Sequence, residues 1–159
     1  MAKQDITSVK QLLDRNIKAL NAKDIEGLLA NQQPDVELVI PGGVTLRGHE
    51  QVRQYTEALW TAFPDGAFSF AGQVLAEDAA ATELVFTGTH TGPLATANGM
   101  IPPTGKRVTL HSASILRFKD GLIASEHAYL DQLEFMTQLD LLPAAPSATN
   151  EHSAYQGES

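Results

Sequence analysis

The sequence predicts an α+β fold: one curved antiparallel sheet wrapped on three N-terminal helices and closed by a short C-terminal helix. Three observations carry this. Apolar residues recur at helical spacing through much of the first sixty residues. From Phe68 onward they mostly alternate with period two, as on half-buried strands. Turn residues, Glu77-Asp78 and above all Asp120-Gly121, cut that second region into antiparallel strands. Strands gathered after helices, rather than alternating with them, mark an α+β domain. A curved sheet over long helices buries a core and leaves a conical cavity at one end, a natural small-molecule site.

Val9, Leu12, Leu13, Ile17 and Leu20 form the apolar stripe of a helix over about 7–21. Asn21-Ala22-Lys23-Asp24 is a turn, and Asp24 is placed to cap a short helix carrying Ile25, Leu28 and Leu29. Residues 35–40 read as a strand, Pro41-Gly42-Gly43 as a turn and 44–46 as a weak return strand. A third helix over about 49–62 carries Val52, Tyr55, Leu59, Trp60 and Phe63, and Pro64-Asp65-Gly66 ends it. Phe68 to Leu75, Ala81 to Thr91 and Val108 to Phe118 are strands, with a Gly- and Pro-rich loop at 92–106 between the last two. In the 108–118 strand, Val108, Leu110, Leu116 and Phe118 share a face with Ser112 and Ser114. The final strand follows Asp120-Gly121, and a helix over 132–141 closes the domain. The expected domain is therefore 1–142, followed by a tail at 143–159 too poor in apolar residues to offset its ordering entropy.

A chain of 159 residues without cysteine has neither disulfides nor thiol chemistry, and it is long enough to bury a core unaided. A net charge of -8 argues against nucleic acid and against an anionic membrane surface. No apolar run approaches the roughly 18 residues of a membrane span, and no signal peptide is evident. The expected setting is the cytoplasm. No His-x-His pair or His-Glu-x-x-His helix occurs, so no metal is expected, and there is neither a phosphate-binding glycine loop nor a nucleophile elbow.

The strand at 122–131 bears the densest chemistry. By alternation Ile123, Ser125, His127, Tyr129 and Asp131 share one face. Leu122, Ala124, Glu126, Ala128 and Leu130 share the other, which is apolar except for Glu126 and reads as packing. The first face, with imidazole, phenol and carboxylate in succession, either meets water or lines a pocket.

Several segments together resemble the SnoaL-like polyketide cyclase (ester cyclase) family. They are Trp60-Thr61-Ala62-Phe63-Pro64-Asp65, Gly88-Thr89-His90-Thr91-Gly92-Pro93, Ile101-Pro102-Pro103-Thr104-Gly105 and Arg117-Phe118-Lys119-Asp120-Gly121-Leu122-Ile123. The closing His127, Asp131 and Gln138-Leu139 match as well, although Asp140 stands where relatives commonly show Gly. The resemblance covers about 7–142. It implies the cone-shaped α+β barrel of the nuclear transport factor 2-like and ketosteroid isomerase-like superfamily. It also implies an aldol-type ring closure of a polyketide ester without metal or organic cofactor, with an acidic residue near the end of the last strand as general base. Asp131 stands in that position.

Asp131 is thus the candidate base, since a carboxylate desolvated in an apolar pocket gains basicity. Asp131-Gln132-Leu133-Glu134 is equally a helix-capping pattern, and the cap draws the pKa the other way. His127 is a second candidate catalytic group. His90 and Tyr129 are candidate donors to a substrate oxygen, and Ser114, Trp60 and Phe86 candidate lining residues. Each has a plain packing role as its alternative. The expected substrate is a hydrophobic, carbonyl-containing small molecule.

Two rivals stand beside cyclisation. One is a non-catalytic binding protein of the same fold. The other is an isomerase or an epoxide-hydrolase-like relative, whose Asp–Arg–Asp set is disfavoured because Arg107 and Arg117 alternate away from the apolar face. An open sheet face bearing Ala113 and Ile115 predicts a homodimer.

Overall fold

The computed structural model describes residues 5–142; the expected tail at 143–159 lies outside the described residues. Helix α1 (Ile6–Ala22) starts at Asp5, whose carboxylate accepts from the Ser8 amide at 2.7 Å. Its inward stripe of Val9, Leu12, Leu13 and Ala19 also holds Asn16, by helical spacing. Lys23 ends the helix in the left-handed region at φ 56, and Asp24 caps α2 (Ile25–Ala30) through the Gly27 amide at 2.9 Å. The sequence predicts this second cap.

Strands β1 (Gln32–Ile40) and β2 (Val44–Arg47) form a hairpin. Helix α3 (Gly48–Ala62) follows, then β3 (Ala67–Leu75) and β4 (Ala79–Thr89). The segment predicted as a loop carries its own small hairpin, β5 (Leu94–Thr96) and β6 (Gly99–Ile101), where Gly99 takes φ 115. Strands β7 (Arg107–Lys119) and β8 (Leu122–Leu130) and helix α4 (Gln132–Gln138) complete the described chain. The closing helix is shorter than predicted because Leu139 is already its C-cap.

The main sheet has six strands in the order β2-β1-β8-β7-β4-β3. All neighbours are antiparallel except β1 and β8, which run parallel. Strand periodicity alone does not say which edge the first hairpin joins, so this pairing is a finding of the structure. Among the described residues no helix is long and apolar enough to cross a membrane.

The core is split in two. One cluster joins Val9, Leu12 and Leu13 of α1 to Val36, Val52, Ala80, Leu116, Phe118 and Ile123. The other joins Ala62, Phe63, Phe86, Val108, Leu110 and Leu139, with Phe135 of α4 packed on it. The sheet register explains the split. On the inward face, Gln73, Thr82, Ser114 and Ala128 lie side by side across β3, β4, β7 and β8. The adjacent row is Leu75, Ala80, Leu116, Glu126 and Leu38. A polar belt therefore runs between two apolar halves.

Candidate functional site

The parity of β8 decides which side chains meet this belt. Arg117 pairs with Ser125, yet the next residue, Phe118, pairs with Ile123, so Ala124 is an extra residue in the strand. Such a bulge breaks alternation locally. Ile123 turns inward and is fully buried, and beyond the bulge Glu126 shares its side. Simple alternation groups Ile123 with His127; the bulge separates them.

Glu126 is the one charged residue on the inward face of β8. Burial pushes its carboxyl pKa up, and the Ser114 hydroxyl, which hydrogen-bonds the carboxylate, offsets part of this. Ser114 is 2% exposed. Across the interior, Tyr55 of α3 has its phenol pushed up to about 12, chiefly by burial and further by the negative charge of Glu126. Tyr55 is thus near enough to feel the charge of Glu126: burial makes the carboxyl hold its proton more readily, and the phenol stays protonated. Phe70, Leu84, Tyr55 and Glu126 are half-buried.

His90 is fully buried at the end of β4. Its Nδ1 accepts from the Thr104 amide at 3.3 Å and lies 3.0 Å from the Thr104 hydroxyl. That bond puts the ring proton on Nε2, which has no well-formed partner although the Gly92 carbonyl is near enough to favour protonation slightly. Burial lowers the pKa, so the ring is held neutral. The imidazole packs 5.3 Å from the Phe63 ring, and its backbone pairs with Lys106 and Gly105. His90 thereby fastens the 92–106 segment to the second apolar cluster. Phe86 lies within that cluster, edge-on to Phe63 at 5.3 Å and 4.7 Å from Phe68. Trp60 is half-buried on α3.

His127 and Tyr129 are on the other side of the sheet. Their rings stack at 4.3 Å with the Tyr129 hydroxyl 3.1 Å from Nδ1, and Tyr129 is 53% exposed. Asp131 is exposed, and its carboxylate accepts from the Glu134 amide at 3.0 Å as N-cap of α4. Asp131 and Tyr129 line an open groove of about 400 Å³ with Glu83 and His111. A second groove, of about 240 Å³, holds His127, Ile115 and Arg117. The first groove lies on the outer sheet face, and the second also borders Glu126. Arg107 is on the outer face too, 3.5 Å from Asp65.

Of the sequence candidates, then, only Ser114 adjoins the belt carboxyl. His90 and Phe86 lie in the adjoining cluster, and Asp131, His127 and Tyr129 lie outside. Sequence reasoning passed over Glu126 and Tyr55. The available signal was the lone acid on an otherwise apolar strand face, because a buried polar residue is more informative than an exposed apolar one. Among the described residues no three His, Asp or Glu side chains converge to hold a metal.

The family model of the SnoaL-like polyketide cyclases matches residues 10–139. No curated protein matches the chain at a significant level. Among solved structures, TsrD from Streptomyces laurentii is 27% identical at a TM-score of 0.76, over 87% of this chain and 98% of that one. AclR from Streptomyces galilaeus, described as a candidate hydroxylase, is 25% identical at 0.73, over 90% and 87%. A candidate SnoaL-like polyketide cyclase from Jannaschia sp. CCS1 shares the fold at 0.77 and 19% identity, over 90% and 99%. With a curved sheet on helices, a bulged final strand and a family match over most of its length, the chain belongs to the SnoaL-like polyketide cyclase family.

Proposed function

We propose that this protein is a cofactor-independent, polyketide-cyclase-like enzyme that works inside the cone, with Glu126 as its general base and acid. The observation that carries this is a carboxyl of raised pKa on the inward sheet face, whose charge is felt by the desolvated phenol of Tyr55. The substrate is a flat, hydrophobic molecule rich in carbonyls. Glu126 takes a proton from a carbon between carbonyl groups, where a modestly raised carboxylate pKa suffices. Tyr55 donates a hydrogen bond to the enolate oxygen as its charge grows. The enolate carbon then attacks a carbonyl of the same molecule, and the protonated Glu126 returns its proton to the new alkoxide. Bonds and protons balance without a redox partner.

The exposed groove at Asp131 supports the rival assignment less well. Its carboxylate is solvated and committed to the α4 amides. The two assignments separate in one experiment, ring closure of an aromatic polyketide methyl ester. Glu126→Gln is expected to lower kcat by about 100-fold or more. Asp131→Asn keeps a good helix cap and is expected to stay within a few-fold of wild type. The reverse pattern moves the base to Asp131. Recovery of every bound ester unchanged, without deuterium exchange at its acidic carbon, makes the protein a binder rather than an enzyme. Exchange without ring closure makes it an isomerase-like relative. We also propose a homodimer joined through the outer sheet face.

A further inference from the structure

Ser114 carries a hydroxyl where the pattern of its strand calls for an apolar side chain. On the inward face of β7, Val108, Leu110, Leu116 and Phe118 are buried hydrophobic residues, and Ser114, between Leu110 and Leu116, is 2% exposed. Burying a hydroxyl is unfavourable unless it is hydrogen-bonded. The sheet register limits its partners. Ser114 stands between Thr82 of β4 and Ala128 of β8, and the Ala128 methyl offers no polar group.

Glu126 is the next inward residue of β8, paired with Leu116. Ser114 and Glu126 are therefore diagonal neighbours on one face of an antiparallel pair, a separation that a long side chain spans. The hydroxyl and the carboxylate are hydrogen-bonded. The other hydroxyls of this face are placed less well. Ser112 pairs with Leu130, roughly 13 Å along the strands from Glu126. Thr82 is on β4, with β7 between it and β8. Tyr55 of α3 feels the charge of Glu126, and Leu38 of β1 and Leu116 of β7 flank it in the sheet. Glu37, Arg117 and His127 line the groove that Glu126 borders.

We propose that Ser114 is a positioning residue, whose hydroxyl donates to the Glu126 carboxylate and holds it in the ionised, proton-accepting form. This rests on Glu126 as the base proposed above. A hydrogen bond to a carboxylate is stronger than one to the neutral acid, so the bond favours the ionised state. It therefore acts at both ends of the reaction. Before turnover it keeps the base ready. After ring closure it favours passage of the proton from Glu126 to the new alkoxide. Burial works the other way, so without the hydroxyl the carboxyl keeps its proton to higher pH.

The test follows Glu126 itself. The full chain, labelled with carbon-13 at the glutamate side-chain carboxyls, is titrated by NMR, and Glu126→Gln identifies the resonance. In parallel, kcat for ring closure of the aromatic polyketide methyl ester is measured against pH. Ser114→Ala is expected to raise the midpoint of the carboxyl titration and of the acid limb of kcat by about one pH unit or more, the worth of a hydrogen bond to a charge. Ser114→Thr keeps the hydroxyl and is expected to return both toward wild type. Should Ser114→Ala not fold, Ser114→Cys, a much weaker donor, reads the same shift. Unmoved midpoints overturn the proposal, whatever the variant does to rate or melting temperature, because a packing role alters those and not the titration. Unmoved midpoints together with loss of ring closure in Glu126→Gln overturn the role of Ser114 alone. A carboxyl midpoint that rises while the rate profile stays in place overturns Glu126 as the base, and with it the catalytic use of the bond.

Discussion

Glu126 and His127 are adjacent in the chain and stand on opposite faces of one sheet. The first is half-buried with its carboxyl desolvated, and the second is exposed and stacked on Tyr129. Period-two geometry makes such a difference absolute, because a shift of one residue exchanges the faces. The same rule assigns Asp131 its work. With its carboxylate on the Glu134 amide, Asp131→Ala is expected to cost about 1 kcal/mol, the usual worth of an N-cap. For a domain of this size that is a fall of about 2–4 °C in melting temperature. A much smaller effect means that the cap contributes nothing and frees Asp131 for another role. The capping pattern was legible in the sequence. That the cap also draws Asp131 outside was not, since the direction in which α4 leaves the sheet is set by its packing on Phe63 and Val108.

At the scale of elements, most of the motifs that signal the family turn out to build the walls. Asp65 accepts from both the amide and the hydroxyl of Thr89, at 2.7 and 2.8 Å, and the backbone bond is the main cause of its lowered pKa. Gln138 pairs with both backbone groups of Thr109, at 2.7 and 2.9 Å, where β7 extends beyond the end of β8. The amides of Thr91 and Gly92 both donate to the Ala62 carbonyl at 3.1 Å. A Cβ on Gly92 would stand 1.9 Å from the Thr61 carbonyl oxygen. Backbone cannot yield there, so Gly92→Ala is expected to cost about 2–3 kcal/mol by denaturant unfolding. A neutral result would mean that the 92–106 segment is not seated on α3. His90 adds a pH dependence to the same seam. Its folded pKa is below the ordinary 6.5, so just below that pH the unfolded chain binds more protons than the folded one. Its share of stability is complete above about pH 6.5 and is lost as the pH falls. Wild type should therefore lose melting temperature between pH 6.5 and 5 faster than His90→Gln. Parallel curves would remove His90 as the cause.

At the scale of the molecule, a polar belt divides the core into two clusters, and the proposed site adjoins that division. An inward face apolar throughout would fold more stably and hold no chemistry. The outer face of the sheet is a different surface. Ile115 is 42% exposed there, beside Val39 and the His127–Tyr129 stack. Sedimentation at micromolar concentration is expected to give twice the 17.1 kDa chain mass, and Ile115→Lys, which puts a charge into the joint, to give the single mass. A wild-type monomer sinks the dimer.

The sequence by itself determined the order of the helices and of the main-sheet strands, the α2 and α4 caps, the inward face of β7 and the family, because these depend on spacing and short-range chemistry; the small hairpin within 92–106 it read as a loop. It exposed Glu126 as an anomaly but could not rank it above Asp131. Three facts belong to the tertiary structure alone: the parallel pairing of β1 with β8, the bulge at Ala124 and the approach of Tyr55 to Glu126. Each joins residues far apart in the chain or depends on the register between two strands. The catalytic assignment rests on these, since a carboxyl becomes a useful base through what surrounds it, and its surroundings come from other elements.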